Sequence, residues 1–206
     1  MAKSRYTKSV FRKVLVPFIH GKDCGTSLSA ASLVAGDGQV ILLGLVRVPE
    51  GQSLSSAAIP ARQVREELRK FAADEHIHVE EHVQASYNLW EELTRYILLK
   101  KPDLLILEWP CDFDELQIPP NGLNHPPCDV AIVGGPLPHN PHNVLISIRG
   151  GPHAELALRL SLAVARSQEA RVTSLHIIPT NSSGRQDIAY RNIDRVLIRI
   201  PEIERK

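Results

Sequence analysis

The sequence contains few of the residues that mark secreted or membrane-spanning proteins. It has three cysteines, which are widely spaced and form no Cys-x-x-Cys pair. A disulfide framework needs paired cysteines, so we expect reduced thiols and a cytoplasmic location. No apolar stretch approaches the roughly 20 residues that cross a bilayer, which predicts no membrane insertion. The basic N-terminus also lacks the long apolar run of a secretory signal.

The sequence also has little net charge and few aromatic residues. Lysine and arginine number 24 against 23 aspartate and glutamate residues, which gives a formal net charge of +1. This balance produces no field that would attract nucleic acid. The aromatic content of 5% offers few platforms on which single-stranded bases could stack. The remaining composition, 43% hydrophobic and 23% charged, is that of an ordinary globular chain.

Short apolar runs alternate with helical patterns through the first two thirds of the chain. Residues 13–21 read KVLVPFIHG, a continuous apolar run that is typical of a strand buried on both faces of a parallel sheet. The alternation predicts an α/β fold, with an open parallel five-stranded sheet and helices on both faces. The predicted strands are Lys13–Phe18, Gln39–Val48, His76–Val83, Asp103–Glu108 and Asp129–Val133. The first predicted helix is capped by Thr26 or Ser27 and runs to about Ala35. The other two span Ala61–Asp74 and Tyr87–Leu99, and residues 109–127 are predicted to form a loop.

The opening stretch recurs later in the chain. Residues 143–151 read NVLISIRGG, and Val14 matches Val144 as Leu45 matches Leu175, each pair 130 positions apart. A constant offset predicts an internal duplication, with one domain over 1–138 and a second repeat over 139–206. That repeat would end after its second helix. Because two strands make a poor core, we expect it to borrow burial from the first domain or a partner chain, or the chain to be cut short.

The strand and helix segments KVLVPF, QVILLGLVRVP, DLLILE and NVLISIRGGPHAELALRLSLAVA together resemble the universal stress protein (UspA) family. The resemblance covers residues 12–135 and 143–200, and the second repeat is also similar to cytoplasmic tails of amino acid permeases and other transporters. It implies a Rossmann-like sheet and a homodimer formed through the last strand, Asp129–Val133. The incomplete second repeat is an alternative dimer surface, and a transporter is an expected partner.

Many members of this family bind ATP, and the resemblance locates the positions that would do so. The family places an aspartate after the first strand, where this chain has Ile19 and, in the second repeat, Arg149. It also places a glycine-rich loop after the fourth strand, where this chain has several prolines and only Gly122. A phosphate cradle needs inward backbone N–H groups, which proline removes and glycine permits. Asp112, Asp114 and Glu115 would add negative charge there, so we expect no cofactor.

Two turns remain as candidate ligand sites, because open parallel sheets bind ligands where strands end. The first follows the first strand and the second follows its repeat, where Arg149 could hold an anion or form a structural ion pair. The candidate cofactor-binding residues are Ile19, His20, Gly21, Lys22, Arg149, Gly150 and Gly151.

Three histidines form the only candidate metal site. His76, His78 and His82 alternate along a predicted strand, so their side chains would share one face with Glu80. Zinc takes such ligands, but a solvated face of an edge strand accounts for the same pattern. We expect no metal. The serines near Ser53 have no His–Asp arrangement beside them, and we expect no enzymatic activity.

These observations favour a non-catalytic regulatory or interaction module, dimeric, without the family ATP loop, and linked to a membrane transporter. The alternative is a stress-response protein that binds ATP or AMP through residues such as His20, Lys22 and Arg149. A metal-binding role at the histidines is a third hypothesis. The sequence leaves open which ligand, partner or signal is involved.

Overall fold

The computed structural model describes residues 11–22, 25–74, 79–137, 141–148 and 153–175. The chain divides into two compact units, Met1–Leu137 and Pro138–Lys206, each of which is described by itself. No helix in these described ranges is long and apolar enough to cross a membrane.

The first unit alternates strands and helices along most of its length. A 3-10 turn at Leu54–Ala57 precedes its second helix. Its strands are β1 (Lys13–Ile19), β2 (Gln39–Arg47), β3 (Val79–Ser86), β4 (Leu104–Glu108) and β5 (Asp129–Val133). Its helices are α1 (Gly25–Ala35), α2 (Ala58–Asp74), α3 (Leu89–Lys100) and α4 (Cys111–Leu116).

The five strands form one parallel sheet in the order β3-β2-β1-β4-β5. This arrangement confirms the predicted open five-stranded parallel sheet. β1 lies at its centre, and six of its seven residues are buried. A strand with helices on both sides has no solvated face, which is why its sequence shows no polar alternation.

Helices cover both faces of this sheet. On one face, α3 contributes Leu93 and Ile97 to a core that contains Leu15 of β1 and Leu43 of β2, all at most 2% exposed. On the other face, α2 packs through Val64, beside the ring pair of Phe18 and Phe71, whose centroids are 5.8 Å apart. Burial of each such side chain contributes about 1.5–3 kcal/mol to folding.

Several predicted bounds differ from the structure: β3 ends at Ser86 rather than Val83, and α2 begins at Ala58 rather than Ala61. Two further differences have local causes. The helix expected to begin at Tyr87 begins at Leu89, because the Asn88 side chain caps it by accepting the Glu91 N–H at 3.1 Å. The segment expected to be only a loop contains α4. Pro110 immediately precedes that helix, where a missing N–H leaves no intrahelical bond unmade.

The described part of the second unit contains β6 (Asn143–Ser147), α5 (Ala154–Ser167) and β7 (Arg171–Leu175). The two strands pair in parallel, and α5 covers one face through Leu158, which is fully buried. On the other face Leu145 is 67% exposed. Within the second unit, this alternation is that of a sheet with one covered face.

The two units also differ in the register of their strands. Lys13 pairs with Gln39 in the first unit, whereas Asn143 pairs with Arg171 in the second. The equivalent positions are therefore 130 residues apart in the first strand but 132 apart in the second. The predicted constant offset is wrong at the second strand, because the connection between the paired strands is two residues longer.

Gly44 of β2 provides a test of the packing between the sheet and α2. A methyl group there would overlap Val64 Cγ1 and lie 3.2 Å from Leu68 Cδ1 and from Val83 Cγ2. We expect Gly44→Ala to lower the free energy of unfolding by about 1–3 kcal/mol, because overpacking forces shifts in a dense core. Urea denaturation measures this change.

Gly134→Ala is the matched control, because its Cβ would meet nothing closer than Trp109 Cβ at 3.9 Å. It should change the free energy of unfolding by less than about 0.5 kcal/mol. Equal destabilisation by the two variants would contradict this account of the packing.

Candidate functional site at the carboxyl ends of the central strands

The candidate site lies where the chain changes direction across the sheet. From β1 the chain builds β2 and β3 on one side, and it then crosses to place β4 and β5 on the other. A crevice forms outside the carboxyl ends of strands at such a switch point, and ligands of open α/β sheets bind there. The turn after β1 and the segment after β4 therefore border the same crevice.

The structure describes four of the seven candidate residues, and they form the turn after β1. Ile19 is 6% exposed and belongs to the core under α3, so its side chain packs inside the fold. The Lys22 N–H donates to the Ile19 carbonyl at 3.0 Å and closes the turn. Gly21 has a φ of +77°, a conformation that glycine adopts without steric cost, and His20 is exposed. Arg149, Gly150 and Gly151 lie outside the described residues.

Helix α4 closes over the ends of the neighbouring strands. Lys22 Nζ lies 2.8 Å from Glu115 Oε1. Arg47, the last residue of β2, donates through Nη1 to Gln117 Oε1 at 3.2 Å and through Nη2 to the Glu115 carbonyl. The two basic side chains at the ends of β1 and β2 are thus engaged by the segment that follows β4.

The side chain of Glu108, the last residue of β4, reaches the first turn of α1. Its Oε2 atom accepts the buried Ser27 N–H at 3.2 Å. The amino end of a helix carries exposed N–H groups and a partial positive charge, so it stabilises an anion. In this chain that anion is an internal carboxylate. The sequence analysis did not single out Glu108, although an acidic residue ending a buried strand next to the switch point could have indicated it.

Asp112 is the buried acid of this crevice, at 6% exposure. Its Oδ2 atom accepts the Glu108 N–H at 2.7 Å. Burial raises the pKa of Asp112 to about 6, although that hydrogen bond works in the opposite direction, and the neighbouring Glu108 carboxylate adds to the rise. Of the three acids predicted to fill the phosphate position, Asp112 faces inward, Glu115 pairs with Lys22, and Asp114 is exposed.

The alternating polar residues of β3 form a different cluster. Glu80 and His82 share one face and are hydrogen-bonded, and Lys100 Nζ of α3 lies 3.0 Å from Glu80 Oε1. Gln39 of β2 donates to the other oxygen of Glu80 at 2.9 Å. The bonds from His82 and Lys100 lower the pKa of Glu80 to about 2. Glu80 therefore stays ionised and tied to α3.

This cluster does not assemble a metal centre among the described residues. No group of three His, Cys, Asp or Glu side chains suited to a metal ion occurs within the ranges that the structure describes. His76 and His78, the other two predicted candidates, lie outside those ranges. β3 is nevertheless an edge strand, as the alternative interpretation assumed, and its side chains are half-buried rather than solvated.

Comparison with known proteins identifies the fold. No protein-family model and no curated protein matches the sequence. The chain is similar to a universal stress protein from Archaeoglobus fulgidus, with a TM-score of 0.61 and 12% identity over 96% of this chain and 76% of that one. It is also similar to a functionally unknown protein from Pseudomonas aeruginosa, with a TM-score of 0.56 and 19% identity over 95% and 73% of the two chains.

A third similar structure is the cytoplasmic domain of a prokaryotic cation chloride cotransporter. Its TM-score is 0.50, with 18% identity over 94% of this chain and 77% of that one. The α/β architecture of this chain is therefore the universal stress protein fold, which confirms the fold that the sequence resemblance implied. At these identities the likeness concerns the fold alone.

Asp112 makes the stability of the crevice depend on pH. Its pKa is raised from 3.8 to about 6, so the stabilisation that its protonation provides is complete below pH 3.8 and is lost as the pH rises through 6. We expect the wild-type free energy of unfolding to fall by up to about 3 kcal/mol relative to Asp112→Asn between pH 4 and pH 7. Urea denaturation across this range measures it.

Asp114→Asn is the matched control, because Asp114 is the exposed acid of the same helix. Its stability should follow the wild-type curve across the whole pH range. Parallel curves for the wild type and Asp112→Asn would show that Asp112 does not titrate as a buried acid.

Proposed function

We propose that this protein is a non-catalytic regulatory or interaction module with the universal stress protein fold, which acts in the cytoplasm as a homodimer. It works through protein contacts, with a membrane transporter as the expected partner, and it does not bind ATP in the manner of the family.

One observation carries the nucleotide part of this proposal. The Glu108 carboxylate accepts the Ser27 N–H at 3.2 Å, in the first turn of α1 beside the switch point. A phosphate group there would have to displace or approach this carboxylate, and like charges repel by several kcal/mol in a partly buried site. The chain thus supplies its own anion where an anionic ligand would benefit from the helix.

The segment after β4 supports the same conclusion. In the described residues it folds as α4 followed by turns, in which the Gly122 N–H donates to the Pro119 carbonyl at 2.7 Å. This local bond uses a backbone donor of the one glycine that stands in the position of the family glycine loop. A phosphate cradle needs several such donors directed at the ligand.

The alternative, nucleotide binding through His20, Lys22 and Arg149, requires a free cation in the first turn. Lys22 is instead 2.8 Å from Glu115. A nucleotide would have to break this ion pair before it could use the ammonium group. This contact favours the interaction module over the alternative.

The transporter link is supported by the likeness to the cotransporter cytoplasmic domain, which extends over 94% of this chain. The dimer is supported by the open edge of the sheet. β5 is an edge strand, and Ile132 on it is 52% exposed. An edge strand presents unpaired N–H and C=O groups to which a second strand can pair.

We expect no saturable binding when ATP, ADP, AMP or cyclic AMP is added to the wild-type protein. Calorimetric titration and thermal melting measure this, since a nucleotide at 100 times its dissociation constant would add about 2.7 kcal/mol of stability. Saturable binding of any of the four would contradict the proposed function and favour the nucleotide-binding alternative.

The dimer prediction concerns Ile132. The Val133 carbonyl accepts the Trp109 N–H at 2.8 Å and so faces β4, which leaves the backbone groups of Ile132 facing the open edge. Ile132→Pro removes an outward N–H without removing a bond of the sheet. We expect it to shift the mass measured by light scattering from dimer to monomer.

Ile132→Thr, which keeps the N–H, is the matched control and should stay dimeric. A wild-type monomer at micromolar concentration, or a dimeric Ile132→Pro variant, would contradict pairing through β5.

A further inference from the structure

The two edges of the five-stranded sheet differ in the side chains that they carry. β3, at one edge, contains Glu80, Glu81 and His82, and charged side chains of this kind discourage pairing with another strand. β5, at the other edge, reads DVAIV and has a single charged residue, Asp129, at its start. An edge that carries several like charges repels a copy of itself, whereas an apolar edge is complementary to its own copy. β5 is therefore the edge of this sheet that suits a second copy of the chain.

An exposed tryptophan lies beside this edge. The Trp109 N–H donates to the Val133 carbonyl at 2.8 Å, which holds Trp109 against the end of β5. Its ring meets the ring of Phe113 edge-on, with centroids 5.0 Å apart, and Phe113 packs on the core beneath α3. Trp109 is nevertheless 58% exposed. An aromatic side chain that is held in place on one side loses little conformational entropy when a partner covers it.

Ile132 of β5 is exposed on the same side of the sheet. It pairs with Leu107 of β4, which belongs to the core under α3. Residues that pair across neighbouring strands point to the same face, so the Ile132 side chain is on the α3 side. Trp109 contacts that side through Phe113. The edge of β5 therefore presents two large apolar side chains on one side, Trp109 and Ile132.

We propose that Trp109 is the anchor residue of the homodimer and that a second copy of this chain covers its ring. The inference rests on the proposed function, and it names the side chain that supplies most of the affinity. A two-fold axis perpendicular to the sheet pairs β5 with its copy in antiparallel direction and keeps the α3 sides of both copies together. Each copy then presents its Trp109 to the edge of the other. A few large aromatic side chains carry most of the binding energy of such interfaces.

The experiment measures the dissociation constant of the dimer by sedimentation velocity over a dilution series of the full chain. The wild type is compared with Trp109→Ala and with Tyr87→Ala. Tyr87 is the matched control, because it is an aromatic residue, 46% exposed, that directly follows β3 at the opposite edge. We expect Trp109→Ala to raise the dissociation constant at least tenfold and Tyr87→Ala to leave it unchanged.

Tryptophan fluorescence of the wild type gives a second readout, which does not depend on a variant that folds. The chain has two tryptophans, Trp90 and Trp109. If the partner copy covers Trp109, iodide quenches the emission more strongly as dilution separates the two copies. This rise in quenching should be absent in Trp109→Phe, which keeps an aromatic side chain at the same position.

Equal dissociation constants for the wild type and Trp109→Ala would overturn the inference, as would equal weakening by Tyr87→Ala. Quenching that stays constant as the dimer dissociates would overturn it too. If Trp109→Ala does not fold, as judged by circular dichroism, the quenching of the wild type decides. A wild type that is monomeric at micromolar concentration would overturn the proposed homodimer itself, whereas a dimer that Trp109→Ala does not weaken overturns this inference alone.

Discussion

The structure of the first unit depends on the complete burial of β1. This strand pairs with β2 on one side and β4 on the other, and helices cover both of its faces. A strand so enclosed must be apolar along its length, and it forces the chain to build the sheet outward in two directions. The crevice at the carboxyl ends of β1 and β4 is a consequence of that reversal. Its electrostatics then follow from which side chains the chain places there.

In most open α/β sheets that place favours a ligand, whereas here the chain fills it with its own charges. Glu108 accepts a hydrogen bond from the Ser27 N–H at the amino end of α1, and Glu115 pairs with Lys22. Asp112 is buried, at 6% exposure. A buried carboxylate is costly to ionise, so Asp112 lowers the stability of this segment at neutral pH. The same arrangement explains the proposed absence of nucleotide binding.

Much of the fold was predictable from the sequence, because the signals for it are local. Continuous apolar runs predicted β1, β2, β4 and β5, and their alternation with helices predicted the parallel sheet. The register of β7 was not predictable, since a two-residue difference in a connection leaves no mark on hydrophobic pattern. The exposure of Leu145 on β6 was not predictable either, because Val144, Leu145 and Ile146 form a continuous apolar run.

The candidate site was predictable only in part. A general rule of open sheets indicated the turn after β1, and charge indicated that acids after β4 oppose phosphate binding. The pairing of Lys22 with Glu115 joins residues 93 positions apart, and that of Glu108 with Ser27 joins residues 81 apart. Contacts of this range depend on how the sheet assembles, so no local pattern contains them.

The central claim is that the Glu108 carboxylate, bound to the amino end of α1, excludes anionic ligands from it. The most direct measurement is the backbone amide resonance of Ser27, followed by NMR while ATP is added to the wild-type protein. The account predicts that this resonance does not move through millimolar concentrations of ATP. A saturable shift of the Ser27 amide would show that nucleotide reaches the helix end and would contradict the account.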